Sequence, residues 1–261
     1  MSGWEHGVEQ PFGDMLKSWR GKRRMSQLDL SLAADVSSRH VAFLETGRSR
    51  PTRGMVIRLC EALEVPRARR NALLNAAGFA PAYAARDIDS DDMRDIRLAV
   101  DWMLERHAPW PAFAIDRHWR IVATNRPATI LFAGLSLAAG DSLLEAFVHS
   151  AGLHAAIENW PEVARHMLSR LRTESAHLGG DPILDRAATD LAASFPDLAP
   201  LDGVPISPVV PARVRTGDVV LSLFSVIAAF GSAEDIALAD LRIELMFPAD
   251  DATRSALMGL A

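Results

Sequence analysis

Arg39 and Phe43 stand four residues apart in DVSSRHVAFLETGRSRPT, residues 35–52 of a 261-residue chain. On a helix that spacing puts a guanidinium and a phenyl ring on one side. Arginine carries paired N–H donors that match O6 and N7 of guanine, and a phenyl ring can meet a thymine methyl. Val41 and Leu44 fall on the opposite side as the inward pair, so Ser38, Arg39, Ala42 and Phe43 point outward together. Ser37 precedes this helix as its cap, and His40 follows Arg39. Gln27 opens the helix before, and Arg48 and Arg50 follow an exit at Gly47. Gln27, Arg48 and Arg50 are positioned for phosphate oxygens, contacts that fix register without reading sequence. The expected chemistry is recognition of double-stranded DNA by Gln27, Ser37, Ser38, Arg39, His40, Phe43, Arg48 and Arg50.

Five short helices are predicted to carry these residues. Phe12, Met15, Leu16 and Trp19 recur at helical spacing in the first. Ser26, with Asp29 three residues on, reads as a capping box for a second helix running to about Ala34. Residues 38–46 form the third, Thr52 caps a fourth through Leu63, and Pro66 leads to a fifth. The second and third helices with their short turn make a helix-turn-helix, whose third helix fits the major groove.

MSQLDLSLAADVSSRHVAFLETGRSRPTRGMVIRLCEAL resembles the helix-turn-helix of the lambda-repressor-like, or xenobiotic-response-element (XRE), regulators, over residues 12–77. The resemblance implies that Gln27, Ser38, Arg39 and Phe43 approach DNA and that Arg20 and Glu45 form an internal ion pair. One departure is Asp35, where glycine is usual in the turn; aspartate tolerates the left-handed conformation less well.

Residues 85–95, ARDIDSDDMRD, are polar and acidic, and read as a linker between a head at 1–84 and a body at 96–261. The body opens with a helix from Met93 to Leu104 and a β-hairpin in AFAIDRHWRIVATN. Helices follow from Pro127 to about Phe195, then three strands at roughly 206–215, 218–230 and 240–247. That order fits a PAS-like domain with a five-stranded antiparallel sheet, making the chain α+β. PWPAFAIDRHWRIVATN, ENWPEVARHMLSRLRTES and FGSAEDIALADLRIELMFPADDAT are similar to the MmyB-like transcription regulator ligand-binding domain. The resemblance implies a small-molecule-responsive regulator, with a fatty-acid-like effector as the leading candidate. Trp102, Phe113, Trp119, Phe132, Trp160, Phe224 and Phe230 are candidate lining groups, though each serves equally as plain core. Asn125, Asn159, Arg213 and Arg215 are candidates to hold a polar head group.

Charge separates the two parts. Residues 1–85 hold 13 Lys and Arg against 8 Asp and Glu, and the remainder holds 15 against 25. A basic head on an acidic body suits a polyanionic partner for the head alone. Neither a secretory leader nor an apolar run of membrane-spanning length is evident, so the cytoplasm is the expected compartment. The lone Cys60 makes no internal disulfide. Histidine spacing and the absence of a glycine-rich phosphate loop predict no metal, nucleotide or other cofactor. Residues 86–261 contain no lysine, which removes a self-cleaving serine–lysine dyad from the body. The chain is therefore expected to be a homodimeric DNA-binding regulator on a roughly palindromic operator, not an enzyme. The alternative is an antitoxin or adaptor controlled by a protein partner through its C-terminal domain.

Overall fold

The computed structural model describes residues 11–88, 90–195, 209–231 and 235–259. In the main the chain divides into two units, the first ending at Ala85 and the second beginning at Arg86. The first contains α1 (Phe12–Lys22), α2 (Gln27–Ala33), α3 (Ser38–Glu45), α4 (Arg53–Ala62) and α5 (Arg67–Ala76). The Ser26 hydroxyl accepts from the Asp29 N–H at 3.1 Å, and the Asp29 carboxylate accepts from the Ser26 N–H at 2.8 Å. This reciprocal cap satisfies two N–H groups that a helix start leaves orphaned. Ser37 and Thr52 cap α3 and α4 in the simpler way, accepting from His40 and Met55. In the turn between α2 and α3, Asp35 does adopt the left-handed conformation, at φ 51°. Leu16, Leu30, Val41, Leu44, Val56, Leu59, Leu73 and Leu74 are buried together. Cys60 joins them, and burial pushes its thiol up to about 12, which makes it inert at neutral pH.

The second unit begins with a 3-10 turn at Asp91–Met93 and α6 (Arg94–Arg106). Helical structure thus starts inside the acidic stretch read as a linker. The hairpin follows as β1 (Ala112–Ile115) and β2 (Ile121–Thr124), and then α7 (Arg126–Gly134), α8 (Leu143–His149), α9 (Ala151–Ala156), α10 (Trp160–His177) and α11 (Pro182–Ser194). β3 (Ala212–Thr216), β4 (Val219–Ala229), α12 (Ile236–Asp240), β5 (Arg242–Pro248) and α13 (Asp251–Met258) complete it. The sheet order is β2-β1-β5-β4-β3, antiparallel at every step, the PAS-like arrangement expected from the element order. Strand limits differ locally. Of the strand expected at 206–215, residues 206–208 lie outside the described residues, and β3 itself starts after Pro211, which has no N–H to give a ladder. The last strand starts later than expected because α12 occupies residues 236–240.

Residues paired across the ladder share a face of the sheet. On one face Ala112, Ala114 and Ile243 pack with Val100 and Leu104 of α6. On the other, Phe113 meets Phe132 of α7 edge-on, with ring centroids 4.9 Å apart. That face also bears Glu244, which accepts from Arg170 of α10 at 2.5 Å. Arg170 donates further to Glu174 at 2.8 Å, and Glu174 accepts from Arg242 and from the Trp119 indole at 2.8 and 2.9 Å. Burial alone would pull the Arg170 pKa down, but the charges of Glu244 and Glu174 outweigh it and hold the guanidinium charged.

Asn125 corrects an expectation. Its amide donates to the carbonyls of Leu104 and Trp110 at 3.0 and 2.9 Å, and its carbonyl accepts from Ala112 and Ala128 at 2.9 and 3.0 Å. The side chain caps α7 and ties it to α6 and β1, leaving no valence for a head group. Asn159 is likewise engaged, donating to Glu162 and the Pro211 carbonyl and accepting from the Arg213 N–H. Asn125→Ala would strand buried polar groups on three elements, so urea unfolding should show the body destabilised by about 2–4 kcal/mol. A change under about 0.5 kcal/mol would mean that the cap is not what joins them.

Candidate nucleic-acid interface and ligand cavity

Glu45, the last residue of α3, is buried and joins three helices. Arg20 of α1 grips it with both sides of its fork, Nε to Oε1 at 2.6 Å and Nη2 to Oε2 at 2.9 Å. The Gln27 amide of α2 donates to Oε2 at 2.8 Å. Arg20 also donates to the Met25 carbonyl at 2.9 Å, which closes the entry to α2. The ion pair implied by the family resemblance is therefore present. Gly13 permits the close approach, because a Cβ there would lie 2.6 Å from the carbonyl oxygens of Leu44 and Glu45. Burial pushes the Glu45 carboxyl up, but the hydrogen bonds from Arg20 and Gln27 and the charges of Arg20 and Lys17 prevail and hold it below the usual carboxylate range.

With the inner side fixed, the outer side of α3 follows. Ser38 and Arg39 are exposed, Phe43 is half-buried, and the Arg39 guanidinium lies 5.2 Å from the centre of the Phe43 ring. Arg48 and Arg50 are exposed in the loop after α3, which Gly47 turns at φ 71°. Three candidates are placed differently from the simple outward set. Gln27 commits one N–H of its amide to Glu45 and keeps its second N–H and its carbonyl oxygen free of that bond. Ser37 uses its oxygen as the cap of α3. His40 points toward α4, with Nε2 3.1 Å from the Met55 sulfur, away from the Arg39 side.

The body contains a cavity of about 250 Å³ lined by Ala108, Pro109, Arg126, Pro127, Ile130, Leu131, Thr216, Leu221 and Leu257. It lies where α7 meets the β3–β4 edge of the sheet and α13. Arg126 is the one charged lining residue, exposed, and makes no ion pair among the described residues. None of the eleven residues expected to bind ligand, Arg215 included, lines this cavity. Phe113 and Phe132 pack on each other, and Trp119 is buried with its indole on Glu174. Trp160 stacks on His154 with centroids 4.1 Å apart and on Phe147 at 6.1 Å. Phe224 stacks on Phe247, and Phe230 packs on the α6 side of the sheet. Trp102 is 59% exposed on α6, and the Arg213 side chain is exposed on β3. Selecting for large aromatics missed a cavity walled by aliphatic residues. Its sequence signal was Asn-Arg-Pro at the start of α7, where a cap and a first-turn proline put Arg126 at a helix opening.

Residues 96–260 match the MmyB-like transcription regulator ligand binding domain, and residues 11–73 match a helix-turn-helix domain. The first match spans well over half of the chain, which belongs to this family: an XRE-type helix-turn-helix joined to an MmyB-like ligand-binding domain. The chain is thus a DNA-binding transcriptional regulator with a ligand-binding C-terminal domain. No curated protein matches it. Among the described residues no helix is long and apolar enough to cross a membrane.

The Glu45 clamp gives a pH-dependent stability with a definite sign. Its pKa is lower folded than unfolded, so the stabilisation is complete above the ordinary carboxylate range and is lost as pH falls through the folded value. Glu45→Gln should destabilise the head by about 3 kcal/mol at neutral pH, and the difference from wild type should shrink once the pH is lowered below the ordinary carboxylate range. Denaturant titrations at the two pH values read this directly; a difference that does not change with pH would contradict the assignment.

Proposed function

We propose that the head reads operator DNA by laying the Ser38–Arg39–Phe43 side of α3 in the major groove, while the body binds an apolar acid that alters operator affinity. The carrying observation is the Arg39–Phe43 pair, an exposed guanidinium over a half-buried ring on the outer side of α3, while Glu45 fastens the reverse side of the same helix. Arg39 reads a guanine through its paired N–H groups, and Phe43 supplies an apolar edge beside it. Arg48 and Arg50, with the Ser37 hydroxyl and the second N–H of the Gln27 amide as further donors, take the backbone register. His40 supports α3 against α4 and makes no base contact. The head extends to about residue 84, and two heads from a homodimer occupy half-sites one turn apart on a roughly palindromic operator.

For the body, the cavity at α7 supports an effector of the fatty-acid type. Its walls are aliphatic and Arg126 stands unpaired among the described residues at its edge, which suits a slim acyl chain with a carboxylate. At about 250 Å³ it falls just under the usual range for drug-sized ligands. Regulation requires only that the effector bind one arrangement of the two heads better than another. A native mass of the purified protein separates this reading from a protein-controlled adaptor: a co-purifying acid of a few hundred daltons supports the first, a tight protein partner the second.

Two substitutions in the head have different signatures. Arg39→Ala should cost about 1–3 kcal/mol on the preferred operator and little on other duplexes. Arg50→Ala should weaken all duplexes alike and reduce the salt slope by about one. Fluorescence anisotropy across salt concentrations measures both, and unchanged operator preference in Arg39→Ala would overturn the groove assignment. In the body, Arg126→Ala should weaken a medium-chain fatty acid by about 1.5–3 kcal/mol in calorimetry while sparing the matching alcohol. Equal loss for acid and alcohol would remove Arg126 from the head-group site.

A further inference from the structure

We propose that α6 is a two-fold interface between two copies of this chain, packed antiparallel against each other. Its inner side is buried through Val100 and Leu104, and its outer side exposes Leu98 and Trp102, 56% and 59% accessible and one turn apart. An exposed tryptophan beside an exposed leucine makes an apolar patch at the centre of the helix, with the Arg106 guanidinium 5.5 Å from the Trp102 ring centre at its edge. The ends of the same face carry opposite charges in a particular order: Arg94 and Asp95 at the start, Glu105 and Arg106 at the finish. Among the described residues none of the four makes an ion pair. At 100° per residue, Arg94 and Glu105 lie on one flank of the Leu98 direction and Asp95 and Arg106 on the other.

A two-fold axis crossing the helix near residue 100 therefore sets Leu98 against Trp102 of the second copy. The same axis sets Asp95 against the second Arg106 and Arg94 against the second Glu105. Every pairing is repeated by symmetry, as an isologous interface requires. Parallel packing would instead set Arg94 against the second Asp95 and Glu105 against the second Arg106, so the charge swap below tells the two arrangements apart. Two helices with one tryptophan and one leucine apiece cover less than the roughly 800 Å² per partner of a standard interface, so the dimer is weak when free. Two heads held on adjacent half-sites raise the effective concentration and close it. This deepens the homodimer proposed above and is testable without DNA, so its failure is separate from failure of the head to bind an operator.

Sedimentation of the full chain without DNA tests it. Wild type should show a monomer–dimer equilibrium at about 10–100 μM, and Trp102→Ala should raise its dissociation constant at least tenfold. Asp95→Arg should weaken the dimer, and adding Arg106→Asp to it should restore most of the loss, a rescue that mere helix damage would not give. Circular dichroism checks that each variant is folded. A chain that stays monomeric to about 100 μM, a dimer indifferent to Trp102→Ala, or a charge swap that fails to rescue would each overturn the proposal.

Discussion

A single carboxylate sets the geometry of the head. Glu45 closes α3, yet its two oxygens take Arg20 from α1 and Gln27 from α2, so three helices meet at one buried charge. Removing either partner would leave an ion in an apolar core, and the arrangement of α2 and α3 is therefore fixed as a unit. Gly13 reinforces it, since only a residue without a side chain lets α1 lie against the carbonyl ends of α3. The direction of the outer side of α3 is a consequence of this inner fastening.

The body uses polar nodes in the same way. Asn125 joins α6, β1 and α7 with four hydrogen bonds, and Asn159 joins the start of α10 to β3. The Arg170–Glu174–Glu244–Arg242 group balances two positive against two negative charges beneath α10 and holds Trp119 by its indole. Such a paired group contributes little net stability but is costly to break. With the sheet covered on both faces, the cavity stands at its β3–β4 edge, where aliphatic residues of three elements leave room beside Arg126.

Much of this was legible in the sequence where local rules decide. Capping serines and the Val41–Leu44 spacing marked helices of the head, and strand patterning marked the hairpin in AFAIDRHWRIVATN. The family motifs led to the fold and to the Arg20–Glu45 pair. What failed depended on tertiary position. Asn125 and Asn159 were read as free head-group anchors because sequence does not show which carbonyls converge on an amide. Trp102 was read as lining because hydrophobicity does not tell an inner from an outer helix face when the flanking charges are mixed. The helix at Asp251–Met258 escaped notice although Asp250 caps it through Thr253, since its few apolar residues leave a short pattern.

The central claim is that the outer side of α3 meets base edges in the major groove. Disulfide trapping tests it most directly, since Cys60 is buried with a thiol of raised pKa and leaves an introduced cysteine as the one reactive group. Ser38→Cys should cross-link to a duplex carrying a thiol tether on a major-groove cytosine, while Arg58→Cys, exposed on α4, should not. Retention of the duplex with no cross-link at residue 38 would contradict the claim.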